Sequence, residues 1–389
     1  MTATSRSSSS LPRTPVTSLR RNPTAAWRHL DVVLLFTTVV VSLLGVLMVY
    51  SATRQGREDA GLDPTTFLKR QAIWVVGGIV VMIAVALVDY RKFRDWAIVL
   101  YGGVVLALIA VLSPLGSEIR GTKGWFQFGI LQLQPAEFGK LALIIMLGSF
   151  AAMFGGDLDV RRLGVALAIA VVPIALIMVQ PDVGTMMVFC AITMGVLLVG
   201  GVRPRHMVAL TFAGLMGVAA ILNLGLLEEY QKERLTAFLD QEGDTQRSAY
   251  NLDQSKIAIG AGGLFGRGLF QGTQTNLSYV PEQETDFIFT VVGEELGFVG
   301  TGTLLSLFAI MMWRVWRTAQ LSRDYTGTLM CVGVLSMFVF QIFQNVGMTM
   351  GILPITGIPL PFVSYGGSAT LAGFAAVGLV LNVHMRRFS

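Results

Sequence analysis

Three places in the sequence set an acidic residue at the start of an apolar run. Asp286 lies in PEQETDFIFTVVGEELGFVG (281–300), Glu137 in QPAEFGK (134–140) and Asp182 in QPDVGT (180–185). A carboxylate so placed can take a proton from a hydroxyl nucleophile, hold a cation, or simply complement a helix dipole as a cap. Acids within a membrane span are costly and rare, which makes each a candidate site. On a helix begun at Asp286, Thr290, Gly293, Gly297 and Gly300 fall within about 40° of it, Glu294 lies about 80° away and Glu295 opposite. Asp286 then tops a face of small residues, where a second helix can approach or a cleft can open. The plainer reading, in which Thr285 and Asp286 only cap a helix, stands beside it. The two Gln-Pro-acid starts have the same plain alternative, because proline and an acid both suit a first helical turn. Glu137 and Lys140 are spaced to share a helix face, so an internal ion pair is open to them.

The three histidines, His29, His206 and His384, all fall on the side assigned below to the cytoplasm. Chemistry on the outer side therefore rests on carboxylates, lysine or hydroxyls. Were the three acidic helix starts neighbours, the cleft between them would present helix N-termini, Lys140 and Arg234 to an anion such as pyrophosphate. It would also present a carboxylate to a hydroxyl or a cation.

The elements that must position these residues are membrane spans. The chain has 389 residues, 53% hydrophobic and 14% charged, against about 25% charged in a soluble domain. Its mean hydropathy is +0.65. Ten apolar runs, near 31–52, 71–89, 96–113, 136–154, 163–179, 183–200, 207–227, 287–313, 326–347 and 369–385, each approach the roughly 20 residues a bilayer core requires. The expected fold is all-α: a polytopic membrane protein with about ten transmembrane helices and a large extracytoplasmic loop, about 228–286, between helices 7 and 8. Residues 1–29 carry five arginines and no acid, a disordered basic cytoplasmic tail ahead of a membrane domain at 30–389. Lysine and arginine in the alternate short loops (Arg91, Lys92, Arg94; Arg161, Arg162; Arg203, Arg205) put both termini in the cytoplasm. The net charge of +5 reflects this topology, with no nucleic-acid-reading motif. Cys190 and Cys331 sit inside apolar runs, against a disulfide framework.

Two outer loops stand out. Residues 228–286 join a charged piece, EEYQKERLTAFLDQ, to a glycine-rich one, KIAIGAGGLFGRGLFQG, and run directly into Asp286. Length and glycines suggest a gate that takes two arrangements, or a rigid segment shaping a groove. Residues 348–368 are uncharged and carry Pro354, Pro359 and Pro361, which predicts a stiff, non-helical lid.

With these pieces assembled, the sequence resembles the SEDS family (shape, elongation, division and sporulation), and its elongation members more than its division members. The resemblance covers about residues 30–385. It rests on GTKGWFQFGILQLQPAEFGKLA, QPDVGT, YNLDQSKIAIGAGGLFGRG, GTQTNLSYVPEQETDFIFTVVGEELG and GILPITGIPLPFVSYGGS. It implies a peptidoglycan glycosyltransferase of the bacterial inner membrane, active on the outer face. Such an enzyme polymerises lipid II in cell elongation and works with a class B penicillin-binding protein. By the same resemblance Asp286 is the essential outer-loop aspartate and general base, and Glu137, Lys140, Asp182, Thr185, Arg234, Lys123 and Trp125 bind substrate. Gln180 departs from the family, which often has lysine there.

The chemistry suits those residues. A sugar hydroxyl is a poor nucleophile that a carboxylate can deprotonate, and cations stabilise a departing pyrophosphate. Lys140, Arg234 or a divalent cation (magnesium or manganese) would serve as the counter-charge. An α-linked donor and a β-linked product call for one inverting displacement. The competing class is a lipid II flippase or other carrier for a lipid-linked substrate, which would place charges near mid-membrane, reachable from both sides.

Overall fold

The computed structural model describes residues 29–119, 121–129, 131–223 and 247–388. Arg234, the EEYQKERLTAFLDQ piece and most of the N-terminal tail fall outside them. Ten helices answer to the ten apolar runs: α1 (Val32–Asp59), α2 (Thr66–Leu87), α4 (Ala97–Leu112), α5 (Pro135–Ala152), α6 (Val160–Val179), α7 (Val183–Val199), α8 (Pro204–Asn223), α11 (Ile288–Leu321), α12 (Tyr325–Thr349) and α13 (Gly367–Met385). Among the described residues three shorter ones join them: α3 (Tyr90–Asp95), α9 (Arg247–Gly262) and α10 (Thr273–Asn276). Seven of the ten are long and apolar enough to cross a membrane, and α4 and α7 are apolar but shorter.

Burial separates centre from periphery. The apolar windows of α5, α12 and α13 are 72%, 61% and 83% buried, whereas those of α2 and α6 are 28% buried. The first three form the middle of the bundle. The outer helices turn residues such as Val76, Val80 and Val171 outward, as a lipid-facing surface requires.

One feature departs from an all-helical chain. Residues 117–133 form a small antiparallel sheet of β1 (Ser117–Ile119), β2 (Thr122–Phe128) and β3 (Leu131–Leu133), in that order. Trp125, Phe126 and Phe128 favour a pleated surface over a helix. The sheet packs on α4 and α5 and meets α13.

The sheet, residues 263–287 and residues 350–366 gather at one end of the bundle, the loop end. Short turns and basic residues such as Arg91, Lys92, Arg161 and Arg162 mark the other, the basic end. Residues 350–366 carry no helix or strand, as the three prolines predict.

α11 is broken. Gly297 has φ 64 and ψ −161, non-helical values inside the span that only glycine adopts without strain. The orphaned backbone groups are met by the loop after α9. Arg267 N–H donates to Glu294 O (3.0 Å) and Gly268 N–H to Glu295 O (3.1 Å); Phe298 N–H donates to Gly263 O (2.9 Å) and Val299 N–H to Leu264 O (3.0 Å). This exchange satisfies polar backbone at span depth. The wheel drawn from Asp286 therefore needs correction: the helix begins at Ile288 and its register ends at Gly297. The small-residue face holds a helix rather than a cleft. Gly293 lies against Ile259 of α9, and Ser255 and Thr290 hydroxyls meet at 2.6 Å. Any gating motion of the 228–286 loop must carry residues 263–268 along with α11 or break these four bonds.

Candidate active site

α5 opens as the sequence predicts, with Gln134 at the N-cap, Pro135 in the first turn and Glu137 as its acid. One turn on, Lys140 Nζ lies 2.7 Å from Glu137 Oε2, with both side chains at most 5% exposed. The pair lines a small cavity with Gln341, Pro359 and Ser364. Its volume, about 20 Å³, exceeds the roughly 10–15 Å³ one water demands.

Asp182 caps α7, accepting from Thr185 N–H and from Thr185 Oγ1, each at 2.8 Å. It also accepts from Gln134 Nε2 at 3.1 Å, which joins the two Gln-Pro starts. Burial pushes the Asp182 carboxyl above its ordinary value, opposed by the Thr185 hydrogen bonds; Glu137 raises it further and Lys140 lowers it. The field of one helix start is thus felt at the next. Gln180, at the family's frequent lysine position, is 1% exposed and donates to Leu108 O at 3.3 Å.

Asp286 is fixed by its backbone. Residues 281–287 form a tight turn in which Thr285 and Asp286 N–H both donate to Glu282 O at 3.1 Å. Asn345 of α12 donates to Asp286 O at 2.9 Å and to Ile358 O at 2.8 Å. Ser364 Oγ donates to Thr285 O at 2.5 Å and accepts from Leu360 N–H at 2.8 Å, and Tyr365 N–H donates to Glu284 O at 2.8 Å. The 350–366 segment therefore bridges Asp286 to the cavity, since Ser364 also lines it. The segment presses on α7 as well, where a Cβ at Gly184 would stand 2.6 Å from Thr356 O.

Glu137 pairs with Lys140 and Asp182 with Thr185, Gln134 at the start of α5 reaches Asp182, and the turn that carries Asp286 is tied through Thr285 O to Ser364, which lines the same cavity as Glu137 and Lys140. Lys123 and Trp125 lie on β2 beside this group. Lys123 stands opposite Glu118 on β1, and Gly124 packs against the Gln180 side chain. Sequence reasoning missed Gln341, Asn345, Ser364 and Ser368, and it saw Gln134 only as part of a helix start. Their signal was a buried polar residue within an apolar run or the proline-rich lid. Ser368 Oγ ties Gln134 N–H to Gln132 O, both at 3.0 Å. Among the described residues no three of His, Cys, Asp and Glu gather as a metal cluster. Both Asp182 oxygens and one Glu137 oxygen are engaged by hydrogen-bond or ion-pair partners.

A family model described as "Cell cycle protein", FtsW/RodA/SpoVE, matches residues 31–388. The chain belongs to this family. It is 37% identical over 356 residues to stage V sporulation protein E of Bacillus subtilis, covering 91% of this chain and 96% of that one. It is 34% identical over 360 residues to peptidoglycan glycosyltransferase MrdB of Escherichia coli, covering 92% and 94%. Among solved structures, a chain of a peptidoglycan synthase complex that coordinates polymerization and crosslinking superposes with TM-score 0.78 at 30% identity, covering 92% and 99%. The rod shape determining protein RodA of Thermus thermophilus superposes with TM-score 0.70 at 29% identity, covering 93% and 99%. The fold is that of a multi-pass membrane protein of the SEDS group.

Proposed function

We propose that this chain polymerises lipid II into glycan strands at the outer face of the inner membrane, with Asp286 as general base. The enzyme class comes with the family: it is a peptidoglycan glycosyltransferase. The observation that carries the finer reading is the convergence at the loop end, where the turn bearing Asp286 is held by Asn345 and, through Thr285, by Ser364, which shares a cavity with the buried Glu137–Lys140 pair.

The acceptor sugar hydroxyl attacks the anomeric carbon of the donor as the bond to the lipid pyrophosphate breaks. The hydroxyl proton passes to the Asp286 carboxylate, and the bonding pair leaves on the pyrophosphate oxygen. One displacement inverts the anomeric carbon. Lys140 supplies positive charge toward the leaving group, Glu137 orients it, and Arg234 adds a second cation. Asp182 and Thr185 hold the start of α7 in shape, and Lys123 and Trp125 border the substrate's path. Magnesium or manganese brought in with the pyrophosphate would add to the same charge neutralisation.

Basic residues at the opposite end favour a cytoplasmic side for that end and for both chain termini. All three histidines also lie there. The basic end is closed by a packed polar network. Asp31 pairs with Arg314 at 2.8 Å, Tyr90 donates to Asp324 at 2.7 Å, and Asn382 bonds Val85 O and Val88 O. Glu137 and Asp182 sit at helix starts and Asp286 in the turn before one, rather than near mid-membrane where a carrier's charges are expected, which disfavours the flippase. A role in elongation rests on the sequence blocks, since identity to sporulation and rod-shape relatives is similar. A class B penicillin-binding protein is the proposed partner, in keeping with the synthase complex among the structural relatives. The test is polymerisation of lipid II by purified protein, alone and with that partner. Asp286→Asn should fold normally and lose about 10²–10⁴-fold in rate; near-normal glycan synthesis would overturn the assignment.

A further inference from the structure

Glu294 and Glu295, two acids inside the α11 span, take no part in the chemistry above. Each is 0% exposed, and acids buried in a span are costly and mark function. The Glu294 carboxylate takes Thr273 Oγ1 (3.3 Å) and Gln274 N–H (2.8 Å) on Oε1, and Thr275 N–H (2.9 Å) and Thr275 Oγ1 (2.7 Å) on Oε2. It thereby holds three successive residues of α10. A Cβ at Gly272 would stand 2.7 Å from Glu294 Oε2, so this segment lies directly on the carboxylate. Glu295 holds a different element: Ser51 of α1 donates to its Oε1 at 2.5 Å.

Both anchors lead to one side chain. Gln283 is 4% exposed, and its Nε2 donates to Ala52 O at 2.6 Å and to Thr275 O at 3.0 Å. Ala52 follows Ser51 on α1, and Thr275 is the residue that Glu294 grips twice. Gln283 lies inside the 281–287 turn that carries Asp286. Its neighbour Glu282 has φ 57, a left-handed value that a non-glycine residue keeps only where its surroundings impose it. The turn is thus held from α12 and the lid by Asn345, Ser364 and Tyr365, and from α1 and α10 by Gln283. Neither carbonyl depends on Gln283 for a partner. Thr275 O also accepts from Ser278 N–H at 3.2 Å, and Ala52 O lies within α1, where a helical N–H meets it. The two bonds therefore fix a position more than they relieve a buried carbonyl.

We propose that Gln283 is a positioning residue for Asp286, with Glu294 and Glu295 setting the two carbonyls that it spans. The inference rests on the reading of Asp286 as general base. Apolar packing would close the same loop as well as two buried carboxylates do. What the carboxylates supply is a fixed register of α10 against α1. Drift between those two elements passes through Gln283 to the turn and so to the Asp286 carboxylate, where a displacement of about 1 Å costs up to about 10²-fold in rate.

Full-length protein in mild detergent, read by lipid II polymerisation and by amide hydrogen exchange, tests this. Gln283→Met keeps the length of the side chain and removes both donors. Its kcat should fall about 10–100-fold with KM within about twofold of wild type. The Thr285 and Asp286 amides, which close the turn on Glu282 O, should exchange about tenfold faster, with α12 and α13 unchanged. Glu294→Gln sets an amide N–H₂ against donors of α10 and should act in the same direction on both readouts. Because the two act along one chain of contacts, the double variant should be within about threefold of the slower single. Gln283→Met leaves both acids in place, so the test stands even where Glu294→Gln does not fold. Unchanged exchange at 285–286, a wild-type kcat in Gln283→Met, or losses that multiply in the double variant would each overturn the proposal. Exchange is read without turnover, so its failure is distinct from failure of the Asp286 assignment, which Asp286→Asn decides.

Discussion

At the loop end Lys140 and Glu137 pair at 2.7 Å with at most 5% of either side chain exposed. At the basic end Arg314 and Asp31 pair at 2.8 Å, with the carboxylate 1% exposed. The two pairs look alike, but their surroundings differ. Asp31 also caps α1 through Leu34 N–H at 3.0 Å and takes two bonds from Arg314 Nε, at 2.8 and 3.0 Å. Its capacity is spent on holding α1 to α11. Lys140 has three donor hydrogens and, among the described residues, one partner, Glu137. Its other hydrogens border a cavity of about 20 Å³. A buried ion pair is therefore weak evidence of chemistry by itself; unspent donor capacity facing a cavity is the better sign.

Lys140→Met breaks the comparison at its strongest point. Turnover should fall about 10²–10³-fold, the size of a lost charge-stabilising donor. Stability should also fall by about 3–5 kcal/mol, because Glu137 is left buried and uncompensated. The double variant Glu137→Gln with Lys140→Met should recover most of the melting temperature and none of the turnover. Recovery of both would make the pair a structural tie like its counterpart at the basic end.

Asn345→Ala probes how Asp286 is held. The amide bonds Asp286 O and Ile358 O, so its loss frees both the turn and the lid. We expect kcat to fall about 10–100-fold with KM little changed, because a small misplacement of a reacting group costs this much. Asn345→Gln should restore part of the loss. A fall in melting temperature with unchanged kcat would make Asn345 structural only.

Much of this arrangement was legible in the sequence, for reasons that are local. Apolar run length is a local property, and a helix appeared at each of the ten runs, seven of them long and apolar enough to cross a membrane. Gln134-Pro135 and Gln180-Pro181-Asp182 are local helix-start signals, and Glu137 with Lys140 is a pair on a single helix. The rest depends on contacts between distant segments. Gly297 breaks α11 because residues 263–268 are there to satisfy the freed backbone, and nothing near Gly297 announces that. The three-stranded sheet at 117–133 is short and glycine-interrupted, so its alternation is faint. Asn345, Gln341 and Ser364 read as polar residues in apolar surroundings, but their partners lie on other elements.

Arg314→Gln sharpens the comparison from the other end. The Arg314 side chain is 21% exposed, so solvent softens the loss. Stability should drop by about 1–2 kcal/mol, less than for a fully buried pair. Glycan synthesis per folded molecule, measured at a temperature well below the transition, should stay within about twofold of wild type. A loss of turnover matching that of Lys140→Met would show that the two ends are coupled and that the contrast between them is false.

The smallest expected effect belongs to Tyr90→Phe. Tyr90 is 1% exposed, and its hydroxyl donates to Asp324 Oδ2 at 2.7 Å. Burial, then the hydrogen bond to Asp324, pushes the phenol above its ordinary value. The group therefore stays protonated and donating across any pH at which the protein works. Asp324 keeps its other duties without it, capping α12 through Gly327 N–H at 2.8 Å and facing Arg91 at 4.0 Å. Its side chain is 33% exposed, so water can replace the phenol. One such hydrogen bond is worth about 1 kcal/mol, which corresponds to a lowering of the melting temperature by about 1–3 °C. Because the tyrosine ring remains as phenylalanine, packing of the start of α3 against α13 is kept and polymerisation should be unchanged. A lowering of 10 °C or more, or a loss of activity, would mean that the seal at the basic end carries part of the work assigned here to the loop end.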